Sequence, residues 1–138
     1  MYIHIEVAGL PPKKDGANSM WRKSTEVPRL QALRLAVVTA LENFPKRSKG
    51  GEIELSLRLY APPQAGDLDN FITGICDGLM AASPQTSIDN KFWQDLPEEI
   101  HPHKAIAWYD DKQVCHIEAE RQPQGQRPIR YELTIIYK

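Results

Sequence analysis

Two aspartates one residue apart, Asp67 and Asp69, stand where a proline-rich stretch gives way to an apolar-periodic one, in Gly66-Asp67-Leu68-Asp69-Asn70. In extended backbone, residues i and i+2 point the same way, so both carboxylates can face one ion. Aspartate is also a favoured helix cap, and that reading competes at the same place. A second acidic pair, Asp110-Asp111, falls in a turn after Trp108-Tyr109. Aspartates form turns without any further task. Three or four carboxylates brought from two loops to one sheet edge would make a hard-cation site, since Mg²⁺ is held by one or two protein carboxylates plus water and phosphate. Such a site can activate water and neutralise charge on a phosphodiester.

Other polar residues offer less. His4, His101, His103 and His116 share no ligand spacing, and His101-Pro102-His103 reads as surface loop ahead of a metal contact. Cys76 and Cys115 form no CxxC pair, so neither a disulfide framework nor a zinc cluster is implied, and both read as core packing. No glycine-rich phosphate loop, nucleophile elbow or Ser/His/Asp arrangement is present. Trp21, flanked by Arg22 and Lys23, either stacks on an unpaired base or closes the core under the first helix.

The elements that must position these residues follow from hydropathy. Ile3, Ile5 and Val7 alternate with polar neighbours and predict a strand, ended by Gly9-Leu10-Pro11-Pro12. Leu30, Leu33, Val37, Val38 and Leu41 recur at helical spacing, which predicts a helix from about Pro28, capped by Ser24 or Thr25 and stopped by Pro45. Ile53, Leu55, Leu57 and Leu59 predict the clearest strand. A second helix is predicted over 68–82, and 83–104 carries no assignment beyond local packing at Lys91-Phe92-Trp93. Strands are predicted over 114–121 and 130–137, the last two close enough to pair antiparallel. Strand–helix–strand order favours a right-handed crossover between parallel strands. The expected class is α+β, a single domain with a mixed sheet of about four strands and two packed helices.

A chain of 138 residues suffices for one core without staples. Its 41% hydrophobic and 25% charged residues exclude collagen-like and disordered classes. No apolar run approaches a membrane span and the N-terminus does not read as a signal peptide, so no membrane and a cytoplasmic setting are expected. Net charge is only -1, yet residues 1–50 hold nine Lys/Arg against four acids, while 51–138 hold eight against fourteen. A basic end beside an acidic end suits a polyanion bound near a cation-holding carboxylate site, or a solvated surface of no special use.

Taken together, these pieces resemble the RusA-like Holliday junction resolvases, small dimeric endodeoxyribonucleases often carried by phages and prophages. Gly9-Leu10-Pro11-Pro12, Asn18 and Trp21-Arg22 are similar to the family's N-terminal signature. Asp67-Leu68-Asp69-Asn70 with Asp77-Gly78-Leu79 resembles its D-x-D-N helix ending in D-x-L, and Tyr109-Asp110-Asp111-Lys112-Gln113-Val114 its D-D-x-Q-V turn and strand. The resemblance spans most of the chain outside 83–107. It implies that Asp67, Asp69 and Asp111 are catalytic metal ligands, with Asp110 a neighbour at the metal, and that the ion is Mg²⁺, with Mn²⁺ as substitute. Lys13, Lys14, Asn18, Trp21, Arg22 and Lys23 would contact nucleic acid. The activity implied is structure-selective cleavage of four-way or branched DNA by metal-activated water, in recombination and repair, by a homodimer. One position departs from the pattern: Thr73 stands where the family usually carries a catalytic lysine. Lys112 or Lys91 would then have to substitute, or the fold serves as a catalytically inactive module that binds DNA or a phage protein.

Overall fold

Strict alternation of apolar and polar residues gives each strand one face that must leave water. In the computed structural model, which describes residues 1–14, 20–44 and 50–138, those faces are shared in one mixed sheet. The chain runs β1 (Tyr2–Ala8), α1 (Val27–Leu41), β2 (Ile53–Tyr60), α2 (Leu68–Gly78), β3 (Val114–Gln122) and β4 (Arg130–Tyr137), with single 3-10 turns between them. The architecture is the expected α+β class, four strands with two helices on one face.

The sheet order is β1-β4-β2-β3. β4 pairs antiparallel with both β1 and β2, and β2 pairs parallel with β3. The expected β3–β4 pairing is therefore corrected, because β2 lies between them. The reason is burial. Tyr131, Leu133, Ile135 and Tyr137 of β4 are all buried, which suits a central strand, whereas β3 is exposed along most of its length and suits an edge. One inner row runs Ile3, Ile135, Leu55, Ile117 and the next Ile5, Leu133, Leu57, Ala119. The helices cover the first three members of each row and leave the β3 member exposed.

α1 begins on Glu26 rather than on a Ser24 or Thr25 cap. The Glu26 carboxylate is buried, accepts from the Lys13 backbone N–H at 2.7 Å and pairs with Arg29 at 3.1 Å. The predicted stop at Pro45 lies outside the described residues. α1 packs Leu33 and Val37 on the sheet, and Val27 and Leu30 on a second apolar cluster with Met20, Trp21, Trp93 and Ile100. That second cluster organises the stretch that carries no assignment from sequence.

α2 ends at Gly78, four residues before the predicted limit. Its last carbonyls are taken by side chains from elsewhere. Trp108 Nε1 donates to the Cys76 carbonyl at 3.2 Å, and the buried Arg34 guanidinium donates to Gly78 and Met80. The same Arg34 donates to the carbonyls of Ile100, His101 and Lys104, so its five N–H groups meet five carbonyls. No helix among the described residues is long and apolar enough to cross a membrane.

Candidate metal and nucleic-acid site

β2 delivers the chain into Pro62 and Pro63, which lack the N–H a ladder needs and so force a turn. Arg121, at the end of β3, fastens that turn by donating to the carbonyls of Pro62 at 2.9 Å and Gly66 at 2.5 Å. Gly66 has φ +144°, and a β-carbon there would press on the Phe71 ring at 3.1 Å. Only glycine meets both conditions. The turn presents Asp67 at the N-cap of α2, exposed and in extended conformation. Its side chain makes no capping hydrogen bond, so the competing cap reading is not what the structure shows. Asp69 sits in the first helical turn, where the helix dipole favours a carboxylate, and accepts from the Asn70 backbone N–H at 3.0 Å.

Asp69, Thr73 and Asp77 lie at four-residue spacing and form one stripe of α2. Thr73 Oγ1 donates back to the Asp69 carbonyl at 3.0 Å. The cation on this stripe comes from outside the helix. Lys14 Nζ meets Asp77 Oδ2 at 2.5 Å, and the Lys14 backbone N–H donates to the Asn70 carbonyl at 3.1 Å. Sequence reasoning named Lys112 and Lys91 for this task and missed the pairing of Lys14 with Asp77. The signal that could have found it is the Pro-Pro-Lys-Lys arm itself, since an arm that ends a strand must run somewhere, and here it runs along α2.

The second acidic pair divides its labour. Asp110 caps a single turn, accepting from the Lys112 N–H at 2.9 Å, and Gln113 Oε1 accepts from the N–H groups of Tyr109 and Asp110. Gln113 Nε2 donates to the Gly51 carbonyl, which ties the turn to the approach of β2. The Lys112 N–H, then the adjoining Asp111 carboxyl, hold the Asp110 carboxyl below its ordinary range. Asp110 is thus the structural member, and Asp111 is exposed beside it. Trp108 anchors this segment to α2 through the Cys76 carbonyl, and the Asp111 charge is close enough to act on the Cys76 thiol. Burial, then the charges of Asp77 and Asp111, push the Cys76 thiol up to about 11.

The structure therefore joins Asp110 with Asp111, and Asp111 and Asp77 both act on Cys76. Asp67 and Asp69 stand at the other end of α2, about 12 Å away along the axis from Asp69 to Asp77. No group of three His, Cys, Asp or Glu side chains among the described residues is arranged to hold a metal ion. The donor chemistry fits Mg²⁺, because every candidate ligand is a carboxylate oxygen and this ion takes one or two such ligands, completing its shell with water and phosphate. Asp67 with Asp69, or Asp111 with Asp110, is each a sufficient protein share.

Of the residues expected to touch nucleic acid, Lys13 and Lys14 lie on the arm beside α2, Arg22 is exposed, and Asn18 lies outside the described residues. Lys23 offers its carbonyl to the N–H groups of Glu26 and Val27, and so helps to start α1. Of the two readings of Trp21, stacking on a base is corrected and closing the core is what the structure shows. Trp21 is 6% exposed, its ring centroid lies 6.1 Å from that of Trp93, and the Arg34 guanidinium sits over it. Burial in the second core removes its face from any base. Cys115, expected in the core, is exposed because β3 lies beyond the helices, while Cys76 is buried as expected. His101 and His103 contact only each other's ring, 5.1 Å apart, among the described aromatic pairs.

No family model and no curated protein matches this chain.

Proposed function

We propose that the protein is a Mg²⁺-dependent, structure-selective endodeoxyribonuclease of the RusA-like resolvase kind, cleaving four-way or branched DNA as a homodimer. The observation that carries this reading is Asp67: a helix N-cap carboxylate held by an anchored turn, exposed, and spared from capping. A carboxylate that caps nothing in its own helix, and meets no structural partner among the described residues, is available to a ligand. Asp67 with Asp69 at the start of α2, or Asp111 with Asp110 beyond its far end, would hold Mg²⁺ or Mn²⁺. When bound, such an ion supplies an activated water and neutralises charge on the phosphate.

The chain's own residues do the rest. Lys14 brings a positive charge onto the Asp69-Thr73-Asp77 stripe, where a scissile phosphate's developing charge needs one. Lys13, Arg22 and Lys23 contribute to the positive field that draws the DNA backbone. A two-fold homodimer suits a junction of the same symmetry. The second reading, a DNA- or protein-binding module without nuclease activity, is favoured by Thr73, whose hydroxyl is turned back to the helix and offers no charge.

The test is cleavage of an end-labelled synthetic four-way junction in Mg²⁺, with linear duplex as control. Wild type is expected to cut the junction in preference, and Asp67→Asn to lose the cut while still binding. A wild type that binds the junction and never cuts it, in Mg²⁺ or Mn²⁺, moves the assignment to the binding module.

A further inference from the structure

The C-terminal half of α1 and the segment 98–106 enclose a cavity of about 630 Å³. Its floor is apolar, made by the partly buried Val38 and Leu41 of α1 and the buried Ile106. The wall facing α1 is fixed before any ligand arrives. Arg34 takes the carbonyls of Ile100, His101 and Lys104, and the Ile106 N–H donates to the Leu79 carbonyl at 3.1 Å. A preformed apolar cavity of this volume is the size of a small-ligand site.

The rim sets the sign of the ligand. Glu42, Glu98 and Glu99 line the cavity against one cation, Lys104. All four are exposed, and among the described residues none of the three carboxylates enters an ion pair. The end of α1 adds to the same field. Its last turn carries no basic residue and Glu42 stands at its C-cap, where the helix dipole favours a positive charge.

We infer that this cavity binds a small organic amine, its ammonium at the carboxylate rim and its hydrocarbon body on Val38, Leu41 and Ile106. The two parts act together. An ion pair at an exposed rim is weak by itself, and each methylene buried on the floor adds up to roughly fourfold in affinity. An anion of the same shape would meet three carboxylates, and a neutral one would leave them unanswered. The cavity shares no residue with the carboxylates assigned to the metal, so it stands or falls apart from the nuclease reading.

Titration of the full chain with hexylamine, followed by methyl NMR at Leu41 and Ile106, tests it. Saturable shifts are expected at both residues. Methylamine, which has the charge without the tail, and hexanoate, which has the tail with the opposite charge, should each bind roughly tenfold more weakly or worse. Glu98→Gln/Glu99→Gln should weaken hexylamine roughly tenfold with unchanged circular dichroism. Glu42→Gln, on the opposite wall, should weaken it roughly threefold and decides the matter if the double variant does not fold. Shifts that never saturate, hexanoate binding as tightly as hexylamine, or carboxylate variants that leave the affinity unchanged overturn the assignment. Saturation by a Lys-Leu-Lys peptide with hexylamine inert also overturns it, and makes the cavity a docking site for a basic protein segment.

Discussion

A β-carbon placed on Gly74 would lie 2.0 Å from the carbonyl oxygen of Pro12. The N-terminal arm and the middle of α2 are therefore in backbone contact, and the fit depends on a hydrogen at position 74. This contact joins the two sequence signatures that bear on function, Pro11-Pro12-Lys13-Lys14 and Asp67 to Asp77. It sets the arm where Lys14 reaches Asp77.

Gly74→Ala should lift the arm from the helix, since neither backbone can yield without moving its whole element. Overpacking of this kind costs about 2 kcal/mol or more, which at this size lowers the melting temperature by roughly 5–10 °C. Thr73→Ala, on the exposed face one residue away, should cost far less. Thermal denaturation of both variants checks the difference.

Arg34 is buried with no carboxylate paired to it among the described residues, and burial pulls its pKa down to about 9. Its five carbonyl acceptors supply the compensation a counter-ion would otherwise provide. Arg34→Met leaves those carbonyls without donors, at a cost of at least ~3 kcal/mol. Arg34→Lys retains charge but lacks the planar five-donor fork, so it too should fall well below wild type in urea denaturation.

Cys76 gives a pH-dependent prediction. Its folded pKa, near 11, lies above the thiol's ordinary 9. Below pH 9 both folded and unfolded thiols keep their protons, and the contribution is constant. Between pH 9 and 11 the unfolded thiol ionises first, so stability falls as pH rises, by up to about 2–3 kcal/mol. The stability gap between wild type and Cys76→Ala should narrow by that amount across this window. At neutral pH a thiol reagent should label Cys115 and reach Cys76 only on unfolding.

The basic arm predicts a salt dependence. Junction affinity should fall linearly with log salt, and Lys13→Ala/Lys14→Ala should flatten the slope by about 0.9 per lost phosphate contact. Asp77→Asn should strengthen binding, because it releases Lys14 and removes a negative charge from the same stripe. Fluorescence anisotropy at several salt concentrations measures both. An unchanged slope in the double variant would place the DNA elsewhere.

Much of the frame was legible because it rests on local alternation. β1, β2 and β4 bury every second residue, and those bounds agree with their patterns within a residue. What was not legible depends on partners distant in sequence. The end of α2 is set by Arg34 and Trp108 taking its carbonyls, and nothing between Leu79 and Ala82 announces a stop. The place of β4 depends on which strands are buried on both edges, a property of the whole sheet. At the candidate site, the Asp67–Asp69 spacing and the Asp110–Asp111 turn were readable, and so was Gln113's place beside them. The freedom of Asp67 from capping was not, because an N-cap aspartate with and without its bond has the same sequence. Lys14 was readable as a basic residue but not as the cation of α2.

The proposed nuclease needs a divalent ion on Asp67 and Asp69 or on Asp110 and Asp111. Anomalous scattering from a crystal soaked in Mn²⁺ tests it most directly. The expected result is a manganese peak in coordination contact with Asp67 or Asp111, lost in crystals of the matching asparagine variant. No peak at either carboxylate in saturating Mn²⁺, with the crystal otherwise intact, would contradict it.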